Sequence, residues 1–220
     1  MTIINAVDVK RNYGDQWAVN GVTLSLNKGD HLAIKGASGS GKSTLLYMLG
    51  GLERPSHGAI KIDGLDLVKS SDQALANFRN QKVGFVFQFH FLLSTLTALD
   101  NILMPVRIAG LKEKKYLAVI DQYAERLGVK SCLKKFPFQL SGGEQQRISI
   151  MRALILSPPV LLCDEPTGNL DSVNSANVID LLKELSKASG STLIVVTHDD
   201  AVAQKFDLRM HMQDGKLLVN

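Results

Sequence analysis

A chain of 220 residues, 45% of them hydrophobic, has apolar material for one large domain or two small lobes around a sizeable core. Its formal net charge of +4 includes no long Lys/Arg run, which argues against a nucleic-acid partner; the excess suits phosphate ligands or an anionic membrane surface, but an ordinary solvated surface accounts for it better. Two cysteines, Cys132 and Cys163, show neither metal spacing nor a disulfide framework, which excludes a cysteine-built metal centre and fits a reducing cytosol.

Residues 3–10 and 18–26 alternate in part, as half-buried strands do. Tyr13 and Trp17 fall in the polar link between them, where a flat ring ahead of a phosphate loop can stack on a nucleotide base; plain packing is the competing use. Residues 31–35 form a short, largely apolar strand pattern, and residues 45–49 begin a helix. Between them runs GASGSGKST, which fits Gly-x-x-x-x-Gly-Lys-Ser through Gly36, Gly41, Lys42 and Ser43 and takes in Ser38, Gly39, Ser40 and Thr44. Glycines let the backbone curl so that successive N–H groups point at phosphate oxygens, and the helix N-terminus adds partial positive charge. Lys42 can then reach the β- and γ-phosphates, and the Ser43 hydroxyl can ligate Mg²⁺. The stretch therefore points to a nucleoside triphosphate.

Beyond it, residues 55–58 break the chain, residues 59–64 read as a short strand and turn, and residues 71–82 are helix-compatible. Residues 83–87 have a buried-strand pattern that ends at Gln88, placed to touch whatever sits at the carboxyl edge of a sheet. From residue 89 to 156 the character is helical, as an insertion between two sheet strands. The apolar run 89–96 is a candidate docking surface, with core packing as the alternative. Residues 113–127 carry helical apolar spacing with Gly128 as a stop, and residues 136–139 form a loop. Next, Leu140-Ser141-Gly142-Gly143-Glu144-Gln145 opens a helix reaching residue 155 and makes a second anion-binding N-terminus. A second phosphate site is redundant within one chain, so it is expected to serve another copy.

Residues 160–164 are an apolar strand that ends in Asp164 and Glu165. Asp164 at the strand tip can hold Mg²⁺ opposite Ser43, and Glu165 can polarise a water for attack on the γ-phosphate. A loop follows at 168–171, then an amphipathic helix beginning at 178–185 and a buried strand at 192–196. The last of these is followed by His198, on the edge expected to carry Gln88 and Glu165 and within reach of the γ-phosphate. The tail 208–220 reads as a hairpin around Asp214-Gly215. Strands alternating with helices imply an α/β fold with a largely parallel sheet and its ligand groups at the carboxyl ends of the strands. Residues 1–14 lack the apolar segment of a secretory signal, and no apolar run approaches the ~20 residues of a membrane helix. Any work at a membrane is thus expected to pass through another chain.

Together these residues resemble the nucleotide-binding subunit of ABC transporters, over essentially the whole chain; the Leu140–Gln145 hexapeptide matches the family's signature motif. The resemblance implies a P-loop NTPase with a RecA-like core and a mainly parallel sheet, an N-terminal antiparallel β-subdomain and an inserted helical subdomain. The catalytic core would span 1–88 and 157–220 and the helical subdomain 89–156, in one ATPase domain. It implies ATP and Mg²⁺ as ligands. Gly36, Ser38, Gly39, Ser40, Gly41, Lys42, Ser43 and Thr44 would make the Walker A cradle, and Tyr13 the adenine platform. Gln88 would contact Mg²⁺ and sense the membrane partner. Asp164 would be the Walker B carboxylate, Glu165 the catalytic base, His198 the switch histidine and Asp171 the interface aspartate. Ser141, Gly142, Gly143 and Glu144 would close on ATP held by the other copy of a homodimer.

The form Asp164-Glu165-Pro166-Thr167-Gly168-Asn169-Leu170-Asp171 is similar to a subgroup of lipoprotein-releasing, macrolide-exporter, peptide-resistance and cell-division ATPases. Residues 79–93 and 50–52 look most like its lipoprotein-releasing (Lol) branch. That likeness implies a peripheral subunit on the cytoplasmic face of a bacterial inner membrane, partnered by integral permease subunits. With no membrane segment after residue 220, a separate ATPase rather than a fused exporter is expected.

Overall fold

The computed structural model describes residues 1–168 and 172–219. The strands run in chain order β1 (Thr2–Tyr13), β2 (Gln16–Asn27), β3 (His31–Lys35), β4 (His57–Ile62), β5 (Leu65–Asp66), β6 (Val83–Phe87), β7 (Val160–Asp164), β8 (Thr192–Thr197), β9 (Leu208–Gln213) and β10 (Lys216–Val219). The α-helices are α1 (Lys42–Leu49), α2 (Asp72–Lys82), α3 (Ala98–Ile108), α4 (Leu117–Arg126), α5 (Gly142–Leu154), α6 (Ser172–Ser189) and α7 (Asp200–Gln204).

The larger sheet has the order β10-β9-β3-β8-β7-β6, parallel except for the β9–β10 hairpin. Its central strands are apolar along their whole length because both faces are covered, as parallel sheets require. Successive residues of β7 point to opposite sides. Leu161 and Cys163 join the core beneath α3, α5 and α6, whereas Val160 and Leu162 join the core shared with α1, α2 and the N-terminal strands. Cys163 is fully buried, and burial pushes its thiol far above the ordinary range. The smaller sheet, β2-β1-β4-β5, is antiparallel. One face of β1 and β2 packs inward through Ile4, Ala6, Val9, Val22, Leu24 and Leu26 while the other faces water, hence the partial alternation in sequence. The backbone N–H of Asn20 donates to the Gly215 carbonyl at 2.8 Å, which ties β2 to the β9–β10 turn.

Several elements differ from their sequence reading. Tyr13 and Trp17 lie inside β1 and β2 rather than in the link, because pairing of Tyr13 with Gln16 and of Asn12 with Trp17 carries the hairpin to a turn at Gly14-Asp15. The strand read at 59–64 is shifted to 57–62, paired by His57 to Lys10 and Ala59 to Val7. The stretch 89–97 is not helical. Helix begins at Ala98, where Thr97 caps it by accepting the Asp100 N–H at 3.1 Å. Within 113–127 a 3-10 turn at Glu113–Lys115 precedes α4. Helix α7 was not foreseen, since five residues are too few to show a period. Helix α2 matches its reading and is capped by Ser71, whose hydroxyl accepts the Ala74 N–H.

Candidate active site at the carboxyl edge of the large sheet

The parallel register brings the functional strand ends together. Phe87 pairs with Asp164, Asp164 with Val196, and Lys35 with Thr197. Gln88, Glu165, His198 and the loop after β3 therefore emerge on one edge. They line a cleft of about 830 Å³ together with Ser38, Gly39, Gly41, Lys42, Ser43, Thr44 and Asp164.

The loop wraps tightly before α1. Gly41 adopts φ +101°, and a Cβ there would stand 2.0 Å from the Ala18 carbonyl oxygen, so only glycine closes the turn against β2. Lys42 is 6% exposed, and its Nζ donates to the carbonyls of Gly36 (2.9 Å) and Ala37 (2.8 Å). An ammonium has three N–H donors, which leaves one for a phosphate oxygen. Burial lowers the Lys42 pKa, and the Glu165 and Asp164 carboxylates oppose that shift. Gly36 and Ser40 are buried behind the loop rather than lining the cleft, and the Ser40 Oγ has no hydrogen-bond partner among the described residues.

Asp164 is 8% exposed. Its Oδ1 accepts from Ser43 Oγ at 2.9 Å, and its Oδ2 accepts from the Tyr47 hydroxyl at 2.7 Å. Ser43 and Asp164 supply the hard oxygen donors that Mg²⁺ takes together with substrate phosphates. No group of three or more His, Cys, Asp or Glu side chains gathers to hold a metal among the described residues. The residues therefore fit an ion shared with a bound triphosphate and provide no all-protein cage. Gln88 lies beside them, its amide so close over Gly168 that a Cβ there would stand 2.6 Å from Nε2.

Glu165 follows directly with φ +46°, a conformation that costs a non-glycine residue energy and clusters at working sites. Its N–H donates to the Val196 carbonyl (3.0 Å), and its own carbonyl accepts the Gly168 N–H (3.0 Å). These bonds turn the side chain into the cleft, where Oε1 lies 3.0 Å from His198 Nδ1. The glutamate side chain is 15% exposed and the histidine 64%, so one is held and the other can swing. A shielded carboxylate next to an exposed imidazole can orient and deprotonate a water.

Ser141 caps α5 in a reciprocal box. Its Oγ accepts the Glu144 N–H at 3.3 Å, and Glu144 Oε2 accepts the Ser141 N–H at 2.7 Å. The Cys132 thiol donates to Glu144 Oε1 at 3.0 Å, and these bonds pull the Glu144 carboxyl down to about 2. From this start α5 reaches both sides of the cleft. Gln146 donates to the Pro166 carbonyl (2.9 Å), beside Glu165, and Arg152 donates to the carbonyls of His90 and Phe91 (2.6 Å each), just past Gln88. Yet none of Ser141, Gly142, Gly143 or Glu144 lines the cleft of its own chain.

Tyr13 is also outside the lining. Its ring is 47% exposed, has the Arg11 guanidinium 4.9 Å from its centroid, and donates its hydroxyl to Glu53. Asp171 lies outside the described residues. Sequence reasoning did not assign Ala18, Ala37, Tyr47, Phe87, Phe89 or Phe91 to this lining, and two of them are instructive. One is Ala18, brought in by the β2 contact with Gly41, and the other is Tyr47. Tyr47 carries a usable signal: it stands four residues after Ser43 on a helix that opens at Lys42, and so shares its face.

Residues 19–168 match the sequence profile of the ABC transporter family. The chain is 41% identical, over 215 residues, to a lipoprotein-releasing system ATP-binding protein, LolD, of Leptospira interrogans, covering 98% of this chain and 90% of that one. It is likewise 41% identical over 223 residues to LolD of Geobacter metallireducens, covering 100% and 99%. Among solved structures, the dimeric bacterial ABC transporter cassette MJ0796 superposes with a TM-score of 0.90 at 35% identity, covering 98% and 96%. A dimeric post-hydrolysis form of the same cassette, bound to ADP and Pi, gives 0.88 at 34%, with the same coverage.

Proposed function

This chain belongs to the ABC transporter family as one of its ATP-hydrolysing subunits, and from that premise we propose that it works as a homodimer driving permease subunits that release lipoproteins from a bacterial inner membrane. The observation that carries the dimer is the capped start of α5, a helix N-terminus suited to phosphate that stays out of its own chain's cleft. A second copy packed head to tail brings Ser141 and Gly143 to the γ-phosphate, and the dimeric cassette neighbours favour that pairing. The cargo reading rests on the lipoprotein-releasing relatives.

In this reading the loop N–H groups and Lys42 hold the β- and γ-phosphates, and Tyr13 offers its ring to the base. Ser43, Asp164 and Gln88 hold Mg²⁺, which when bound neutralises charge developing on the phosphates. Glu165 takes a proton from the attacking water, and His198 orients the pair. Residues 89–156 act as the lever between the core and the permease. Phe89, Phe91 and Leu93 are 68%, 60% and 48% exposed, too open for core packing, so the run at 89–96 favours docking. Beside it a groove of about 300 Å³, lined by Phe85, Phe87, Phe91, Pro105 and Leu156 among others, suits an apolar permease segment. No helix among the described residues is long and apolar enough to cross a membrane; the place on the cytoplasmic face is inferred from the lipoprotein-releasing relatives.

Inner-membrane vesicles carrying lipoproteins and the permease test the cargo. Adding this subunit with ATP is expected to release lipoprotein to a soluble acceptor. Vesicles that consume ATP but retain their lipoproteins would overturn it in favour of an exporter-type or cell-division-type role.

A further inference from the structure

The carboxylate of Asp164 is gripped at both oxygens by one helix. Ser43 takes Oδ1 at 2.9 Å, and Tyr47, four residues on, takes Oδ2 at 2.7 Å. Both hydroxyls donate to the carboxylate, and two donors from a single rigid element fix the plane of the group as well as its place. With 8% exposure, Asp164 has little water to replace either donor.

The tyrosine ring is itself held. It lies 6.3 Å from Phe87 at 56°, and Phe87 stacks on Phe85 (5.2 Å, 7°) and meets Phe91 edge-on (5.1 Å, 80°). These aromatics form the wall ahead of Gln88, so the hydroxyl sits on a fixed mount. A phenyl ring in its place would keep that mount and lose the single bond to Oδ2, which makes the bond testable in isolation.

We propose that Tyr47 is a positioning residue for phosphoryl transfer: it holds Oδ2 so that Oδ1 and the Ser43 hydroxyl stay turned together toward the metal-bound phosphates. This rests on the reading of Ser43 and Asp164 as the divalent-cation pair. Groups that orient a metal ligand typically change metal affinity about 10–100-fold when lost. A tyrosine that merely fills space would alter folding or nucleotide binding without regard to the ion.

The experiment measures ATP affinity of the full chain by calorimetry, in EDTA and across a Mg²⁺ titration, for wild type and Tyr47→Phe. The metal-free affinity, which the loop and Lys42 set, is expected to stay within about twofold. The Mg²⁺ concentration that tightens ATP binding, and the one giving half-maximal turnover, should both rise about tenfold. Mn²⁺ bound with ATP, followed by electron paramagnetic resonance, should show the same loss of affinity. Superposed Mg²⁺ curves for the two proteins overturn the proposal. An equal fall in ATP affinity with and without metal, or a thermal midpoint lowered by many degrees, overturns it as well, in favour of packing alone. If wild-type binding ignores Mg²⁺ altogether, the cation pair itself is misread and the positioning role falls with it.

Discussion

Replacing Glu165 by Gln is expected to reduce ATP turnover by about 10²–10⁴-fold while ATP still binds, the range that loss of a positioned general base commands. The substitution keeps the shape of a side chain that the fold has gone to some trouble to place. The residue sits at φ +46°, is fastened to Val196 and Gly168 through its backbone, and is bonded to His198. An amide there still fits against the imidazole but has no basic oxygen for a proton. It also removes one negative charge next to the phosphates, so the ATP-bound dimer should persist. Phosphate release measured beside light scattering checks both halves. Turnover within tenfold of wild type would hand the base role to another group, with His198 first in line.

Lys42→Ala should weaken nucleotide binding by about 10–10²-fold. Lys42 is 6% exposed and its ammonium bonds two loop carbonyls, and in the proposed mechanism it carries its charge to the phosphates. The N–H left for a phosphate oxygen makes a charge-assisted hydrogen bond of about 1.5–3 kcal/mol, and its loss corresponds to about 10–10² in Kd. Fluorescent-nucleotide titration reads this directly, and an unchanged Kd would remove the loop from the phosphate site.

Much of this site could be read in the chain because its parts sit where local pattern and chemistry coincide. Strands β6, β7 and β8 are buried on both faces, so they stand out as unbroken apolar runs, and the residue after each run arrives at the sheet's carboxyl edge without further argument. Ser141, followed by two glycines, marks a helix start from local sequence. The N-terminal strands were harder, since their water-facing residues run polar well past the buried part and the hairpin extends to Gly14. The first residues after Gln88 looked helical by composition. Instead they form an irregular stretch, held by Arg152 from α5 and carrying positive φ at His90 and Phe91. Those bonds cross about sixty residues of chain. The same is true of Tyr47 on Asp164, a contact that exists only once α1 lies against β7.

The proposed mechanism depends on two copies meeting so that the start of α5 in one reaches the phosphate loop of the other. Ser38 and Ser141 are both exposed, one on the loop and one at the cap. A chain carrying Ser38→Cys and Ser141→Cys should therefore form a covalent dimer under mild oxidation when Mg²⁺-ATP is present, and little of it when nucleotide is absent. A chain that stays monomeric with ATP bound, whether uncrosslinked or closed only within itself, would contradict the shared site.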